Sequence, residues 1–323
     1  MENLSARDRK ATKRARTTVG DANRSGRPTS PLMRLSQGRT PTFILPFMYS
    51  AKVWAKCLFT VLSLAFIAGE AGAQSRDRDD DRWLERCRDG DWGDDDRFCE
   101  VRDVPLSAAR SRLAVDGAQN GGVTVVGWDE TTVRIRARIQ ANARSDADAR
   151  EIAREIRIST DGTIRADGPE RSGRRNWSVS YVIFAPRKSN LDLSTHNGGI
   201  SIEGIEGSIR FAAVNGGITL ARVAGDVRGE TTNGGVHVVL DGSRWRGDGL
   251  DVRTTNGGVN VAVPPRYSAE LQTGTVNGGL DIDFPITVQG RFSRQLTTTL
   301  GDGGPRVRVT TTNGGVKLRR TAS

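Results

Sequence analysis

The sequence predicts an all-β fold, a single-chain β-solenoid (a β-helix, right-handed) with one short helix inserted near its N-terminal end. Three observations point there. The tripeptide Asn-Gly-Gly occurs seven times, apolar residues alternate on both sides of it, and bulky aromatics are scarce. Phe, Tyr and Trp make up 6% of the 323 residues, against 38 glycines. Such a chain lacks the large side chains that fill a globular core, but it suits layers of small β-branched ones.

The repeats start at Asn120, Asn197, Asn215, Asn233, Asn256, Asn277 and Asn313, and from Asn197 the steps are 18, 18, 23, 21 and 36 residues. The last step has room for two coils or for one coil with an insertion. An apolar residue follows every tripeptide: Val123, Ile200, Ile218, Val236, Val259, Leu280 and Val316. Leu191 and Leu193 precede the turn at Asn197 and Ile200 and Ile202 follow it; Val307, Val309, Val316 and Leu318 flank Asn313 in the same way. A period of two is the mark of a strand with one buried face. Glycine suits a tight turn that needs positive φ, and stacked coils would let the asparagine amides form a ladder along the axis. Asn-Gly is also a strong hairpin signal, so an antiparallel sandwich is the alternative. Near-constant unit length favours stacking, because 18 to 23 residues cannot bury their own apolar face.

The segment before Asn197 differs from the repeats. Thr132–Ile139 alternates as a strand, Ser145 reads as the N-cap of a short helix from Asp146 to roughly Glu155, and Trp177–Phe184 is extended up to Pro186. It reads as a decorated first coil whose helix covers the open end of the solenoid.

Charge is unevenly placed. Residues 1–73 carry 12 Lys and Arg against four acids (+8), leaving 36 against 34 (+2) of the total +10 for the rest. The nearly neutral remainder argues against nucleic acid as a partner. Met48–Lys56 resembles a signal-peptide n-region, Cys57–Ala68 is an apolar run too short for a stable span, and Ala71-Gly-Ala73 offers a cleavage site before Gln74. The expected organisation is therefore a basic extension or mis-assigned start over 1–47, a signal peptide over 48–73, and an acidic disulfide-bearing segment over 74–105. The N-terminal part of the β domain follows over 106–190, and the repeat solenoid over 190–320. Export to the periplasm, cell surface or medium follows from the same reading.

Cys87 and Cys99 then remain as an even pair, expected to form a disulfide, worth about 2–4 kcal/mol. The intervening Asp89, Asp91, Asp94, Asp95 and Asp96 do not have EF-hand spacing; a solvated charge run is the simpler reading and calcium the sharper one.

Asn-Gly-Gly-[Ile/Val] at roughly twenty-residue spacing behind a signal peptide resembles the bacterial putative-adhesin β-strand-repeat family, a domain of unknown function. The segment from Val115 to Asp129, the Ala/Arg-rich helix and the strand ending at Pro186 carry the resemblance too. It spans about 100–320 and implies architecture and export. No catalytic residues are established for that family, so none carry over.

The residues themselves offer no enzyme signature. His196 and His237 sit at positions held elsewhere by Thr, Val, Asn or Ser, and no HExxH, CxxC, P-loop or GxSxG occurs. A polysaccharide-active β-helix would draw on Asp226, Asp241, Asp248, Asp251, Asp281 or Asp283, which sit where solvated aspartates are expected. The expected function is non-catalytic, without cofactor or metal: binding or scaffolding at the cell envelope, with a periplasmic stress or signalling partner as the alternative. Thr231, Thr232, Thr254, Thr255, Thr311 and Thr312 form the candidate binding face, for an envelope glycan or protein. The protein is expected to be monomeric or weakly self-associating.

Overall fold

The computed structural model describes residues 78–89, 95–106, 111–285 and 294–321. The extension 1–47, the signal-peptide segment 48–73, Asp91 and Asp94 lie outside the described residues. What is described is a β-solenoid-like stack of two ten-stranded sheets.

Each coil runs a strand in the second sheet, turns at Asn-Gly-Gly, and runs a strand in the first. Coil 1 pairs β2 (Arg112–Asp116) with β3 (Val123–Trp128). Coil 2 is β8 (Asn190–Thr195) and β9 (Ile200–Glu203), and coil 3 is β10 (Glu206–Ala213) and β11 (Ile218–Ala221). Coil 4 is β12 (Ala224–Asn233) and β13 (Val236–Val239), and coil 5 is β14 (Gly249–Asn256) and β15 (Val259–Val263). Coil 6 is β16 (Ala269–Asn277) and β17 (Leu280–Ile282), and coil 7 is β19 (Arg306–Asn313) and β20 (Val316–Arg320). Every pairing between adjacent coils is parallel, which rules out hairpins in the repeat region. Equal residues lie over equal residues. Leu191, Ile209, Val227, Leu250, Val307 and Leu271 form one buried row, and Ile200, Ile218, Val236, Val259 and Val316 another, ending on the half-buried Leu280.

The coils do not stack in chain order. Coil 7 lies between coils 5 and 6: β19 pairs with both β14 and β16, and β20 with both β15 and β17. The stack expected from the sequence is present, but its last two coils lie in exchanged order. Among the described residues, the step of 36 residues holds no second coil of its own. Instead β18 (Gln295–Leu300) pairs antiparallel with the outer side of β16, and the chain then returns to fill the layer left open inside.

At the other end the sheets extend past coil 1. In the first sheet β7 (Asn176–Pro186) runs parallel to β3, followed by antiparallel β4 (Arg134–Ala143) and β1 (Asp96–Val104). In the second, β6 (Thr163–Asp167) joins β2 and β5 (Arg157–Ser159) joins β6. Helix α2 (Asp146–Glu155), capped by Ser145, buries Ala149, Ile152 and Ala153 against this end. One helix was expected from the sequence, and the described residues hold two. Residues 78–89 form helix α1 on the outside of β4. Its Asp80 accepts from Arg138 at 2.7 Å and from Arg136, Arg138 lies over Trp83, and Cys87 is bonded to Cys99 of β1. Ion pairs and a disulfide hold α1, so it carries no apolar periodicity for a sequence reading to find.

The corners need glycine for a reason other than the turn itself. Gly314 has positive φ, but Gly198, Gly216, Gly234, Gly257 and Gly278 do not. A Cβ on Gly198, Gly216, Gly234 or Gly257 would instead overlap the carbonyl oxygen of Gly121, Gly198, Gly216 or Gly234 in the neighbouring corner. The second glycine is less confined: a Cβ on Gly217 or Gly235 would sit 3.5 or 3.4 Å from the next carbonyl. Threonine completes the corner. The buried Thr231, Thr254 and Thr311 donate to the carbonyls of Gly216, Gly234 and Gly257 at 2.7, 2.7 and 2.8 Å. Coil 3 has Ala213 at this position.

Two outcomes follow for chemical denaturation. Gly234→Ala should cost about 3 kcal/mol through overpacking, with Gly235→Ala costing much less; equal losses would place the constraint elsewhere. Thr254→Val should cost about 1–3 kcal/mol by orphaning the Gly234 carbonyl, and Ala213→Thr should gain about 0.5–1 kcal/mol by supplying the missing hydroxyl.

Candidate functional site

Alternation sends every second residue of the second sheet outward, and parallel register lines these residues up across the coils. One row reads Asp192, Arg210, Arg228, Asp251, Arg308 and Gln272. Its charges are matched locally. Asp226 bonds Arg210 at 2.8 Å and Arg228 at 3.0 Å, and Asp251 meets Arg253 at 3.0 Å and Arg308 at 3.5 Å. The hydrogen bond from Arg210 holds Asp226 below the ordinary carboxylate range, against the upward push of burial. Burial pushes Asp251 up, but Arg253 and Arg308 together outweigh it and the net shift is downward.

Next to the corners, the exposed Thr232, Thr255 and Thr312 occupy one position in coils 4, 5 and 7, with the exposed Val214 and Val276 at that position in coils 3 and 6. Below them lies an open groove of about 380 Å³ whose walls include Glu230, Arg253, Gln272 and Arg308. The exchanged coil order builds this groove, because it places Gln272 and Val276 beside Thr312 rather than beside Thr255. Cross-strand neighbours of this kind cannot be found without the register. Arg253 and Gln272 were therefore missed from sequence, although their outward parity was readable.

The six threonines singled out from sequence divide. Thr232, Thr255 and Thr312 face solvent, whereas Thr231, Thr254 and Thr311 are no more than 5% exposed and bonded to corner carbonyls. Consecutive residues of a strand point to opposite faces, so only one of each pair belongs to the surface row. The remaining corner residues form a ladder. The Nδ2 of Asn197 donates to Oδ1 of Asn120, and Asn215, Asn233, Asn256, Asn313 and Asn277 each donate in turn to the asparagine one layer nearer the N-terminal end, at 2.7–3.0 Å.

The residues considered for chemistry are not drawn together. His196 is exposed in the corner after β8 and His237 on β13, Asp241 and Asp248 are exposed, and Asp281 and Asp283 pair with Arg319. A glycosidase needs one carboxylic acid with a raised pKa; Asp226 and Asp251 are shifted the other way. Asp95 pairs with Arg174, and Asp96 accepts the backbone N–H of Asp146. Among the described residues no three His, Cys, Asp or Glu side chains cluster in a way that would hold a metal ion.

Comparison with solved structures finds similarity to a putative cell adhesion protein from Clostridium sporogenes, 14% identical, with TM-score 0.37, covering 70% of this chain and 100% of that one. A putative adhesin from Bacteroides fragilis is 10% identical, with TM-score 0.28, covering 69% and 97%. A putative lipid binding protein from Parabacteroides distasonis is 11% identical, with TM-score 0.28, covering 68% and 96%. No curated protein matches. The model of the Toastrack DUF4097 family matches residues 100–319, which takes in every coil of the stack. The chain belongs to the Toastrack DUF4097 family.

Proposed function

We propose that this protein is an exported, non-catalytic, adhesin-like module of the cell envelope, and that it binds a glycan through the outer face of its second sheet. The observation that carries this reading is the row of Thr232, Thr255 and Thr312 above a groove walled by Arg253, Gln272 and Glu230. Each hydroxyl both donates and accepts, and so does the Gln272 amide, which matches the hydroxyl groups of a sugar. Stacked strands repeat about every 4.8 Å, so the face offers many weak contacts in series. Among the described residues the only exposed large apolar side chains are Val214 and Val276. That is too little for the packed aromatic anchors of a protein interface.

Export is supported by the Cys87–Cys99 bond, which persists in oxidising compartments, together with the signal-like segment 48–73 and its cleavage site before Gln74. No helix among the described residues is long and apolar enough to cross a membrane. The coil is right-handed in this reading, and the protein acts as a monomer or weak associate.

The test is a glycan-array and cell-envelope binding screen with a variant in the row. Thr255→Arg, at an exposed site, should leave the unfolding midpoint in place and weaken binding about tenfold by crowding the groove. Unchanged binding, or saturable turnover of any polysaccharide, would contradict the proposal.

A further inference from the structure

A second cleft lies away from the threonine row, where the asparagine ladder meets the N-terminal extension of the first sheet. Antiparallel register places Arg97 opposite Asn142 and Asn142 opposite Asn176, with Gln140 opposite Ser178 on the same face. These side chains point outward, because the alternate residues Ile139, Ala141, Trp177 and Val179 fill the core. With Asn120 and Asn197 they line a cleft of about 540 Å³. A smaller hollow of about 300 Å³, walled in part by Arg171 and Arg175, shares Asn120 and Asn176 with it.

The ladder gives this cleft a polarity. All six amide bonds run the same way, each N–H pointing toward the N-terminal end, so the series ends on the Nδ2 group of Asn120 at the cleft. Aligned hydrogen bonds polarise one another, and this end of the series is its positive end. Arg171 adds a full charge. Its guanidinium lies 3.8 Å from the centre of the Trp177 ring and its Nε donates to the Trp177 carbonyl at 3.1 Å. Burial pushes its pKa down, the sign of a cation partly withdrawn from water, where a counter-charge is felt more strongly. The amides are also held in place. Asn142 accepts from Arg97 at 3.1 Å, and Asn176 Oδ1 accepts the backbone N–H of Trp177 at 2.8 Å.

We propose that this cleft and the adjoining hollow together bind a carboxylate-bearing saccharide, with the acid group directed to Arg171 and the Asn120 amide and the sugar hydroxyls to Asn142 and Asn176. Primary amides pair with hydroxyls as donor and acceptor at once, and a guanidinium pairs with a carboxylate through parallel bonds. The site is independent of the threonine row, which lies on the other sheet.

The test measures binding of oligogalacturonate, of its carboxyl-reduced counterpart and of free galacturonate to the full-length protein by titration calorimetry. Oligogalacturonate should bind, its affinity falling as salt is added, and the reduced oligomer should bind about tenfold more weakly. Free galacturonate should also bind, more weakly than the oligomer, because the hydroxyl contacts to the amides are fewer. Asn176→Asp keeps the oxygen that accepts the Trp177 N–H but sets a negative charge in the cleft. It should leave thermal unfolding unchanged and lower oligogalacturonate affinity about tenfold. Arg171→Gln should act in the same direction, and Thr255→Arg should have no effect. Absence of oligogalacturonate binding, equal affinity for the reduced oligomer, indifference to Asn176→Asp, or loss on Thr255→Arg would each overturn the proposal.

Discussion

The structure depends on how closely one corner approaches the next. At six of the seven Asn-Gly-Gly corners the first glycine lies against the carbonyl of a neighbouring corner, and at the first corner Gly121 lies against the carbonyl of Val179, with no room for a side chain at any of them. This contact sets the height of a layer and the lateral register of the strands leaving it. Everything else in the repeat follows from that register. Apolar residues meet their equivalents in the neighbouring layer, the asparagine amides fall within hydrogen-bond distance, and inward threonine hydroxyls reach the glycine carbonyls. The three interactions use different atoms of the same corner, and each requires the same stacking distance. A chain with few aromatics can therefore build a well-ordered interior.

The ends of the stack are handled differently from its middle. At the N-terminal end the layers give way to antiparallel strands, and α2 lays Ala149, Ile152 and Ala153 over the open core. At the far end, coil 6 is laid down one layer out and coil 7 fills the gap, while β18 closes the outer edge of the second sheet. The C-terminal strands thus lie between two others rather than at a free edge. Unpaired edges are templates for association, and this threading protects the last repeat from that role.

Much of the architecture was legible because its physics is local. Alternation identified which face of each strand is buried, and the recurring tripeptide marked each corner; parallel pairing separates the stack from the hairpin alternative. Other features were hidden because they depend on contacts between distant segments. The exchange of coils 6 and 7 leaves no trace in spacing, since Asn277 and Asn313 would look the same in either order. The pairing of Thr231 with Thr232 as one surface row ignored strand parity, although parity was available. The glycines were assigned to positive φ, the ordinary reason for glycine in a turn; of the corners' first glycines only Gly314 has it, and what all of them share is close contact with a carbonyl of the neighbouring layer. The N-terminal cleft was invisible, since Arg97, Asn142 and Asn176 are brought together by two antiparallel registers.

The threonine groove is a product of stacking order, so the order itself is the claim to test first. The most direct measurement is cysteine cross-linking at exposed positions flanking the ladder, with bridges mapped by mass spectrometry. Adjacent layers bring paired residues within disulfide reach, and a layer in between does not. The threading described here predicts that cysteines at Thr255 and Thr312 bridge, that those at Thr312 and Val276 bridge, and that those at Thr255 and Val276 do not. A bridge formed readily between positions 255 and 276 would show that the coils stack in chain order and would contradict the account.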